Sequence, residues 1–255
     1  MHYTKMHGIG NDYLFVYGEV PENAASLSVK YSDRKNGIGS DGMIYIYQSD
    51  IADFSMRIFN ADGSEAKMCG NGIRCVARYV RERGYTDKDE ITIETISGIK
   101  NVLIDGDFVT VNMGKAVVSD EITLDIGQKC TPVNVGNPHA VIFTKDVENL
   151  QLLWIGPLVE RNQAFAGRVN AEFVELVGEN ELRMRVWERG SGETKACGTG
   201  ACASAAASVA KGYCRAEEPI KVHLDGGDLE ILIKSDYTCR MRGTAEFVCD
   251  GEIDS

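Results

Sequence analysis

The feature that most constrains the fold of this chain is an internal repeat, with an offset of 128 positions in 255 residues. Segment 56–72 (MRIFNADGSEAKMCGNG) lies over segment 184–200 (MRVWERGSGETKACGTG) without a gap, and seven of the seventeen positions are identical. Random pairing of chains of average composition would give about one identity. A looser echo, shifted by two residues, places Asn11 over Asn137. The simplest account is two homologous domains related by a pseudo-two-fold axis.

The two halves divide near residue 115, where the strand pattern of FVTVNM gives way to a polar stretch. We therefore expect one domain over 1–114 and a second over 115–243. Alternating apolar residues predict short strands in both halves, at MRIFN, ITIET, FVTVNM, LRMRVWE, IKVHL and LEILIK. Each cysteine loop leads into a longer helix that ends at a glycine, Gly84 or Gly212. The pattern predicts the α+β class, with two small antiparallel barrels or curled sheets, each packed on its own helix.

Charge and hydropathy narrow the classes of partner. The formal net charge is -11, and no long run of Lys and Arg occurs. Nucleic acids and anionic membranes need counter-charge, so neither is expected as a partner, whereas small polar ligands remain. No segment approaches the roughly 18 uninterrupted apolar residues of a membrane helix, and MHYTKMHGIGNDY lacks the apolar stretch of a signal peptide. We expect a cytosolic protein.

Eight cysteines in a chain that is expected to be cytosolic are more typical of reduced thiols than of a disulfide framework. The close pairs Cys69/Cys75 and Cys197/Cys202 do not have the spacing or the clustering of zinc ligands, so no metal site is expected. Cys69 and Cys197 differ from the others, because each lies where a glycine loop enters a helix. Unpaired N–H groups and the positive end of the helix dipole favour a thiolate there.

Duplication of this element gives it a chemical meaning that a single copy would not have. If a two-fold axis runs between the domains, Cys69 and Cys197 can face each other across a cleft, a common ligand location. One thiolate could then remove a proton from a stereocentre while the other thiol delivers a proton from the opposite side. The competing interpretation is a redox disulfide. A dedicated thiol oxidoreductase more typically has Cys-x-x-Cys on one element, and this chain has none.

These residues resemble a known family. Segment 60–74 (NADGSEAKMCGNGIR) is similar to the diaminopimelate epimerase signature, in which Asn-x-Asp-Gly-Ser and four further residues precede Cys-Gly-Asn-Gly-x-Arg. The blocks KMHGIGNDY, GNPHAV and ERGSGETKACGTGA are similar to three other blocks of that family. The resemblance implies a cofactor-independent enzyme that interconverts LL- and meso-diaminopimelate for lysine and peptidoglycan synthesis. It also implies two pseudo-symmetric domains, each with a helix enclosed by curled antiparallel strands, and a C-terminal segment, 244–255, that returns to the first domain.

The resemblance assigns roles residue by residue. It makes Cys69 and Cys197 the two acid/base residues, with His139 and Glu188 tuning the thiols. The positions that it implies for substrate binding are Asn11, Asn60, Gly70, Asn71, Asn137, Asn170, Glu188, Arg189, Gly198 and Thr199. Such a set suits a substrate with an ammonium and a carboxylate at each end. Taken singly, an asparagine at position 11, 60, 137 or 170 would more often be a turn residue that satisfies its own backbone.

Two positions depart from the family pattern. Gly42 stands where some members have a glutamine, and Cys249 stands where some members have a tyrosine in a dimer contact. A homodimer is therefore expected from resemblance alone. The alternatives are a proline or hydroxyproline racemase with the same two-cysteine architecture, or a non-enzymatic thiol-redox or ligand-binding protein. A phenazine-type isomerase on this fold is disfavoured because that branch lacks the paired cysteines.

Overall fold

The computed structural model describes residues 1–254 of the chain. The chain divides into two compact units. The first unit consists of residues 1–111 together with the segment that starts at Gly243, and the second is Asn112–Arg242. The division into homologous epimerase domains over 1–114 and 115–243 stays a prediction.

The helices of the described residues are α1 (Ala24–Ser32), α2 (Gly70–Glu82), α3 (Leu152–Glu160) and α4 (Gly198–Ala210). The strands are β1 (His2–Gly8), β2 (Asn11–Tyr17), β3 (Gly42–Tyr47), β4 (Phe54–Asn60), β5 (Glu65–Ala66), β6 (Glu90–Thr95), β7 (Gly98–Asp105), β8 (Phe108–Lys115), β9 (Val117–Val118), β10 (Ile122–Thr123), β11 (Lys129–Asn134), β12 (Pro138–Phe143), β13 (Asn170–Gly178), β14 (Glu181–Glu188), β15 (Gly192–Thr194), β16 (Pro219–Leu224), β17 (Gly227–Ile233), β18 (Thr238–Thr244) and β19 (Glu246–Glu252).

In the first unit, the strands wrap around α2. Strand β1 pairs antiparallel with both β2 and β19, β2 pairs parallel with β3, and β3 pairs antiparallel with β4. Strand β4 pairs parallel with β6, and β6 pairs antiparallel with β7. Helix α2 contacts β1, β2 and β7 and buries Ile73, Val76 and Val80 completely. Arg74 on the same helix is also fully buried and donates to the carbonyl oxygens of Gly70 and Thr244.

The second unit repeats this arrangement around α4. Strand β12 pairs antiparallel with β11 and parallel with β13, and β13 pairs antiparallel with β14. Strand β14 pairs parallel with β16, and β16, β17 and β18 form an antiparallel meander. Helix α4 is rich in alanine and is buried along most of its length. It contacts β9, β11, β12, β13, β14, β16 and β17. Small side chains suit a helix that is surrounded on several faces, because they let the strands approach closely.

The α+β class is confirmed, and so are the two helices that follow the cysteines. Gly84 and Gly212 have φ angles of +75° and +70° just after α2 and α4, as a C′ glycine requires. The sheet is mixed, since two strand pairs in each unit run parallel. Parallel neighbours need a crossover connection, and the unpredicted helices α1 and α3 supply it between β2 and β3 and between β12 and β13.

Candidate active site

Cys69 is the N-cap residue of α2. Its backbone is extended, with φ −137° and ψ 116°, and its Sγ accepts a hydrogen bond from the backbone N–H of Gly72 at 3.3 Å. A sulfur therefore takes the place that a Ser, Thr or Asp oxygen usually has at a helix start. The N–H of Gly72, one of the first in the helix, points at this sulfur. The positive end of the helix dipole also favours the ionised form of the thiol.

Cys197 is the N-cap residue of α4 with almost the same geometry. Its φ and ψ angles are −132° and 104°, and its Sγ accepts from the N–H of Gly200 at 3.4 Å. The repeat in the sequence is thus a repeat in local structure, within each unit separately. A side chain at either glycine would meet a close neighbour, because a Cβ on Gly72 would lie 2.6 Å from Ile44 Cδ1 and one on Gly200 would lie 2.8 Å from Glu172 Oε1.

Amide and aromatic groups surround the half-buried Cys69. Its Sγ lies 3.4 Å from Asn11 Oδ1, which also accepts from Asn71 Nδ2 at 3.3 Å. Asn11 Nδ2 donates to Asp41 Oδ2 at 2.6 Å, and that bond fixes the orientation of the amide. Tyr13 lies two positions after Asn11 on β2, and its pKa is raised well above the usual value by burial and by the charge of Cys69. The structure therefore brings together three of the predicted residues, Asn11, Cys69 and Asn71.

Carboxylates lie close to Cys197. This thiol is 5% exposed, and its pKa is raised well above the usual value by burial and by the charges of Glu188 and Glu172. Thr199 Oγ1, 3.6 Å from Sγ, and the N–H of Gly200 oppose this shift more weakly. Burial likewise raises the pKa of Glu188, although hydrogen bonds from Thr194 and Cys197 partly offset the effect. A thiol with a raised pKa stays protonated at neutral pH and can act as an acid.

A hydrogen-bonded chain connects Cys197 to a buried carboxylate. Glu172 Oε1 lies 2.7 Å from His139 Nδ1, and His139 Nε2 lies 3.0 Å from Asn137 Oδ1. Asn137 Nδ2 in turn donates to Thr199 Oγ1 at 3.3 Å. Because the amide donates to Thr199, its oxygen faces the imidazole and accepts from Nε2–H. His139 is thus held in one orientation from both ring nitrogens.

Asn170 and Arg189 meet at the ends of neighbouring strands. Asn170 Oδ1 accepts from the backbone N–H of Arg189 at 2.8 Å, and Asn170 Nδ2 contacts the Pro138 carbonyl oxygen at 3.4 Å. The Arg189 side chain is exposed, so its guanidinium is accessible to an anionic ligand. Gly198 and Gly70 are the first residues of α4 and α2 and are buried.

Asn60 has a different environment from the other predicted asparagines. It is the last residue of β4, and its Nδ2 donates to Ser64 Oγ at 3.0 Å within a tight turn. Asn60 therefore lies at a turn, although its amide donates to a side-chain oxygen and not to its own backbone. Its counterpart in the repeat, 128 positions later, is Glu188. The first unit therefore has an amide where the second has a carboxyl group.

Sequence reasoning missed Tyr13 and Glu172. Each lies two positions after a predicted asparagine, Asn11 or Asn170, at the start of a strand. Side chains at i and i+2 of a strand share a face, so this period could have identified both residues. Within residues 1–254, no group of three or more His, Cys, Asp and Glu side chains could hold a metal ion. No helix in the same part of the chain is long and apolar enough to cross a membrane.

Comparison with known proteins gives a consistent result. The family model described as diaminopimelate epimerase matches residues 3–119 and 131–248. A diaminopimelate epimerase of Methanococcus maripaludis strain C6 is 48% identical, over 100% of this chain and 100% of that protein.

Two solved structures share the fold at low identity. A Bacillus anthracis phenazine biosynthesis protein of the PhzF family has a TM-score of 0.80 at 18% identity, and covers 100% of this chain and 99% of its own. A probable proline racemase from Agrobacterium radiobacter K84, solved with bound carbonate, has a TM-score of 0.72 at 17% identity, with coverages of 99% and 92%. At such identities the likeness shows the fold alone.

Proposed function

This chain belongs to the diaminopimelate epimerase family, and from that premise we propose that it interconverts LL- and meso-diaminopimelate with Cys69 and Cys197 as the two acid/base residues. The observation that carries the proposal is the equal placement of the two cysteines. Each caps the N-terminus of a helix in its own unit, and each sulfur accepts from the N–H three residues later. A pair of equivalent acid/base groups is what inversion of a stereocentre requires.

The proposed step is a transfer of two protons. A thiolate takes the α-proton, so an S–H bond forms, the Cα–H bond breaks, and the electron pair moves toward the substrate carboxylate. The other thiol then gives its proton to the opposite side of Cα and becomes a thiolate. The raised pKa of Cys197 makes it the thiol in the free protein, so we assign Cys69 as the base in the first half of this step.

Stabilisation of the carbanionic intermediate is assigned to the two helix starts. Backbone N–H groups at Gly70 and Asn71, and at Gly198 and Thr199, are the groups proposed to hold the α-carboxylate. A helix N-terminus favours negative charge, and donors preorganised at the developing charge lower the barrier directly. No separate electron sink is needed in this scheme, in keeping with a cofactor-independent reaction.

Recognition of the rest of the substrate is assigned to the remaining polar set. The accessible guanidinium of Arg189 suits the distal carboxylate, and the carboxyl group of Glu188 suits an ammonium. The amides proposed to complete recognition are Asn11, Asn60, Asn137 and Asn170. His139 is proposed to tune Cys197 through Asn137 and Thr199. A proline racemase acts on a cyclic substrate without a distal ammonium and carboxylate, so such a site would have no use for this set.

On the basis of family resemblance, we further propose that the protein forms a homodimer and that it is located in the cytoplasm. Cys249, the residue in the place of the expected dimer tyrosine, is exposed on β19 and pairs with Lys5 of β1. Light scattering of the purified protein tests the dimer, and a monomer at micromolar concentration would contradict it.

The deciding experiment follows α-proton exchange in deuterated water by NMR, with reduced protein and no added cofactor. LL-diaminopimelate and L-proline are supplied in separate samples. Exchange with diaminopimelate alone supports the proposal, and exchange with proline alone supports the racemase alternative. Loss of inversion in both Cys69→Ser and Cys197→Ser, with unchanged folding, assigns the two residues. No exchange with either substrate would contradict the proposal and favour a redox or binding role.

A further inference from the structure

Glu160 is a buried carboxylate outside the set of side chains assigned so far. It is the last residue of α3 and is only 3% exposed. Its Oε2 accepts a hydrogen bond from the indole Nε1–H of Trp187 at 2.8 Å, and its Oε1 accepts from the backbone N–H of Gly190 at 3.1 Å. Arg168 Nη1 lies 3.5 Å from Oε1. Burial of a carboxylate is costly unless it is hydrogen-bonded, and here each oxygen has a donor.

The two closest donors lie on either side of Glu188 and Arg189. Strand β14 ends at Glu188, and a turn joins it to β15. Glu160 binds the strand at Trp187 and the turn at Gly190. Between these two points lie the residues that are assigned to the ammonium and the distal carboxylate of the substrate. One carboxylate therefore fixes the backbone on both sides of them.

The main chain of Glu160 also holds the neighbouring strand. Its carbonyl oxygen accepts from the backbone N–H of Val169 at 3.1 Å, directly before Asn170 begins β13. Asn170 Oδ1 in turn accepts from the backbone N–H of Arg189 at 2.8 Å. A surface turn with few such bonds opens readily, whereas this turn is tied to a helix and to a second strand.

Helix α3 packs closely enough on β14 to bring the carboxylate to its donors. A Cβ on Gly156 would lie 2.5 Å from the Trp187 ring, so the glycine lets the helix approach the indole. Residues at i and i+4 share a helix face, and Glu160 follows Gly156 by four. Burial raises the pKa of Glu160, but the donors of Trp187 and Gly190 and nearby arginine charges lower it below the usual value. The side chain is therefore an anion at neutral pH.

We propose that Glu160 is a positioning residue for Arg189. Its bonds to Trp187 and Gly190 hold the turn in the conformation that presents the guanidinium to the distal carboxylate of the substrate. This inference rests on the proposed function, in which Arg189 binds that carboxylate. A backbone that is already fixed leaves less conformational entropy to be lost on binding. Glu160 itself touches no substrate group in this scheme.

The test compares Glu160→Gln with Glu175→Gln. A glutamine at position 160 can accept with only one of its two terminal atoms, so one of the two donors is left facing an NH2 group. Glu175 is the matched control, because it accepts from the backbone N–H of Val147 at 3.0 Å and lies opposite Arg183 on β14. A cooperative thermal transition above the assay temperature in both variants checks the fold.

The first measurement is made without substrate. Trypsin cleaves after an exposed arginine in a turn when the turn opens locally, so the rate of cleavage after Arg189 reports on the turn. We expect cleavage to be about tenfold faster in Glu160→Gln and unchanged in Glu175→Gln. An unchanged rate in a folded Glu160→Gln protein would overturn the inference. That result would leave the proposed epimerisation standing, and absent α-proton exchange would not alter the cleavage result.

The second measurement separates positioning from a general structural role. In Glu160→Gln, KM for diaminopimelate should rise about tenfold with little change in kcat, because the weakened contact is made equally in the ground and transition states. In an Arg189→Ala background, the same substitution should change KM by less than about twofold, because the guanidinium is gone. A full tenfold rise in that background, or a fall in kcat alone, would overturn the assignment.

A third measurement uses the wild-type chain and so does not depend on a variant that folds. The chain has two tryptophans, and the other one, Trp154, is 78% exposed. In deuterated water, the indole N–H signal of Trp187 should persist in NMR spectra well after that of Trp154 has exchanged, because Glu160 accepts from it. Trp154→Phe, at an exposed position, assigns the two signals. Simultaneous loss of both signals would contradict the contact on which the inference depends.

Discussion

Glu172 Oε1 lies 2.7 Å from His139 Nδ1, and neither side chain has any exposed surface. The second carboxylate oxygen of Glu172 is buried without a hydrogen-bond partner within the described chain. The two side chains meet because β12 and β13 run parallel, with His139 in register with Asn170. The imidazole is therefore the group that compensates a carboxylate placed next to the Cys197 site.

Replacing His139 with leucine should leave this carboxylate buried and uncompensated. We expect a loss of about 3 kcal/mol or more in the free energy of unfolding at neutral pH, which is typical when one partner of a buried pair is removed. The double variant His139→Leu/Glu172→Leu should recover much of the loss, because both polar groups are gone. Urea unfolding of the two single variants and the double variant measures the coupling. Additive losses would show that the contact does not stabilise the fold.

Glu188→Gln should make Cys197 more reactive in the absence of substrate. The charge of Glu188 raises the pKa of Cys197, so its removal lowers that pKa and increases the thiolate fraction at neutral pH. Alkylation of the Cys197 peptide should become several-fold faster at neutral pH, in the range of about threefold to tenfold. Glu193→Gln, at an exposed glutamate on β15, is the control and should leave the rate unchanged. A slower reaction in Glu188→Gln would reverse the assigned sign.

Substitution of Gly72 and Gly200, each three residues after a cap cysteine, should have unequal effects. The Cβ of Gly200→Ala would meet Glu172 Oε1 at 2.8 Å, and Glu172 is held by His139, so the neighbour cannot give way. The Cβ of Gly72→Ala would meet Ile44 Cδ1, the end of a flexible side chain. We expect kcat to fall about tenfold or more in Gly200→Ala. The double variant Gly72→Ala/Ile44→Val should regain most of the kcat that Gly72→Ala loses, because valine lacks the Cδ1 atom. Steady-state kinetics measure both effects, and an equal fall in kcat for Gly72→Ala and Gly200→Ala would contradict the prediction.

Asp53 should make stability depend on acid pH. Hydrogen bonds from Lys88 and from the Thr92 backbone and hydroxyl lower the pKa of Asp53 to about 2. A depressed carboxyl pKa stabilises the fold above the unfolded value, near 3.9, and the contribution is lost as pH falls toward 2. After a discount for solvent screening, Asp53→Asn should cost about 1 kcal/mol at neutral pH, and the difference should vanish in acid. Asp50→Asn, an exposed position, is the control; a cost independent of pH would rule out the charge as its origin.

The repeated cysteine elements could be predicted because their structure is local. Each extended cysteine is followed directly by the glycine that begins its helix. The sequence motif and the geometry therefore coincide at both Cys69 and Cys197. The same holds for the helix ends at Gly84 and Gly212, where a positive φ requires glycine.

The helix α3 could not be predicted from its residues. Its sequence LLWIGPLVE contains Gly156 and Pro157, both of which disfavour a helix interior. The structure explains the glycine, since a Cβ there would lie 2.5 Å from the Trp187 ring. Glu172 was missed for a related reason, because its contact with His139 spans 33 positions and exists only through strand pairing. The alternation along β13 places Glu172 on the same face as Asn170, but its partner on the neighbouring strand is set by the tertiary structure.

The pairing of β1 with β19 has a consequence for the order in which the units form. His2 lies in register with Glu252, so these strands meet only after the whole of Asn112–Arg242 has been synthesised. The second unit is one uninterrupted stretch and can complete its sheet while the first still lacks an edge strand. Pairings between residues far apart in sequence form slowly, because the loop between them must first be closed. We therefore expect the cysteine-bearing helix α4 to be enclosed on the nascent chain before α2 is, with chaperone demand concentrated on the first unit.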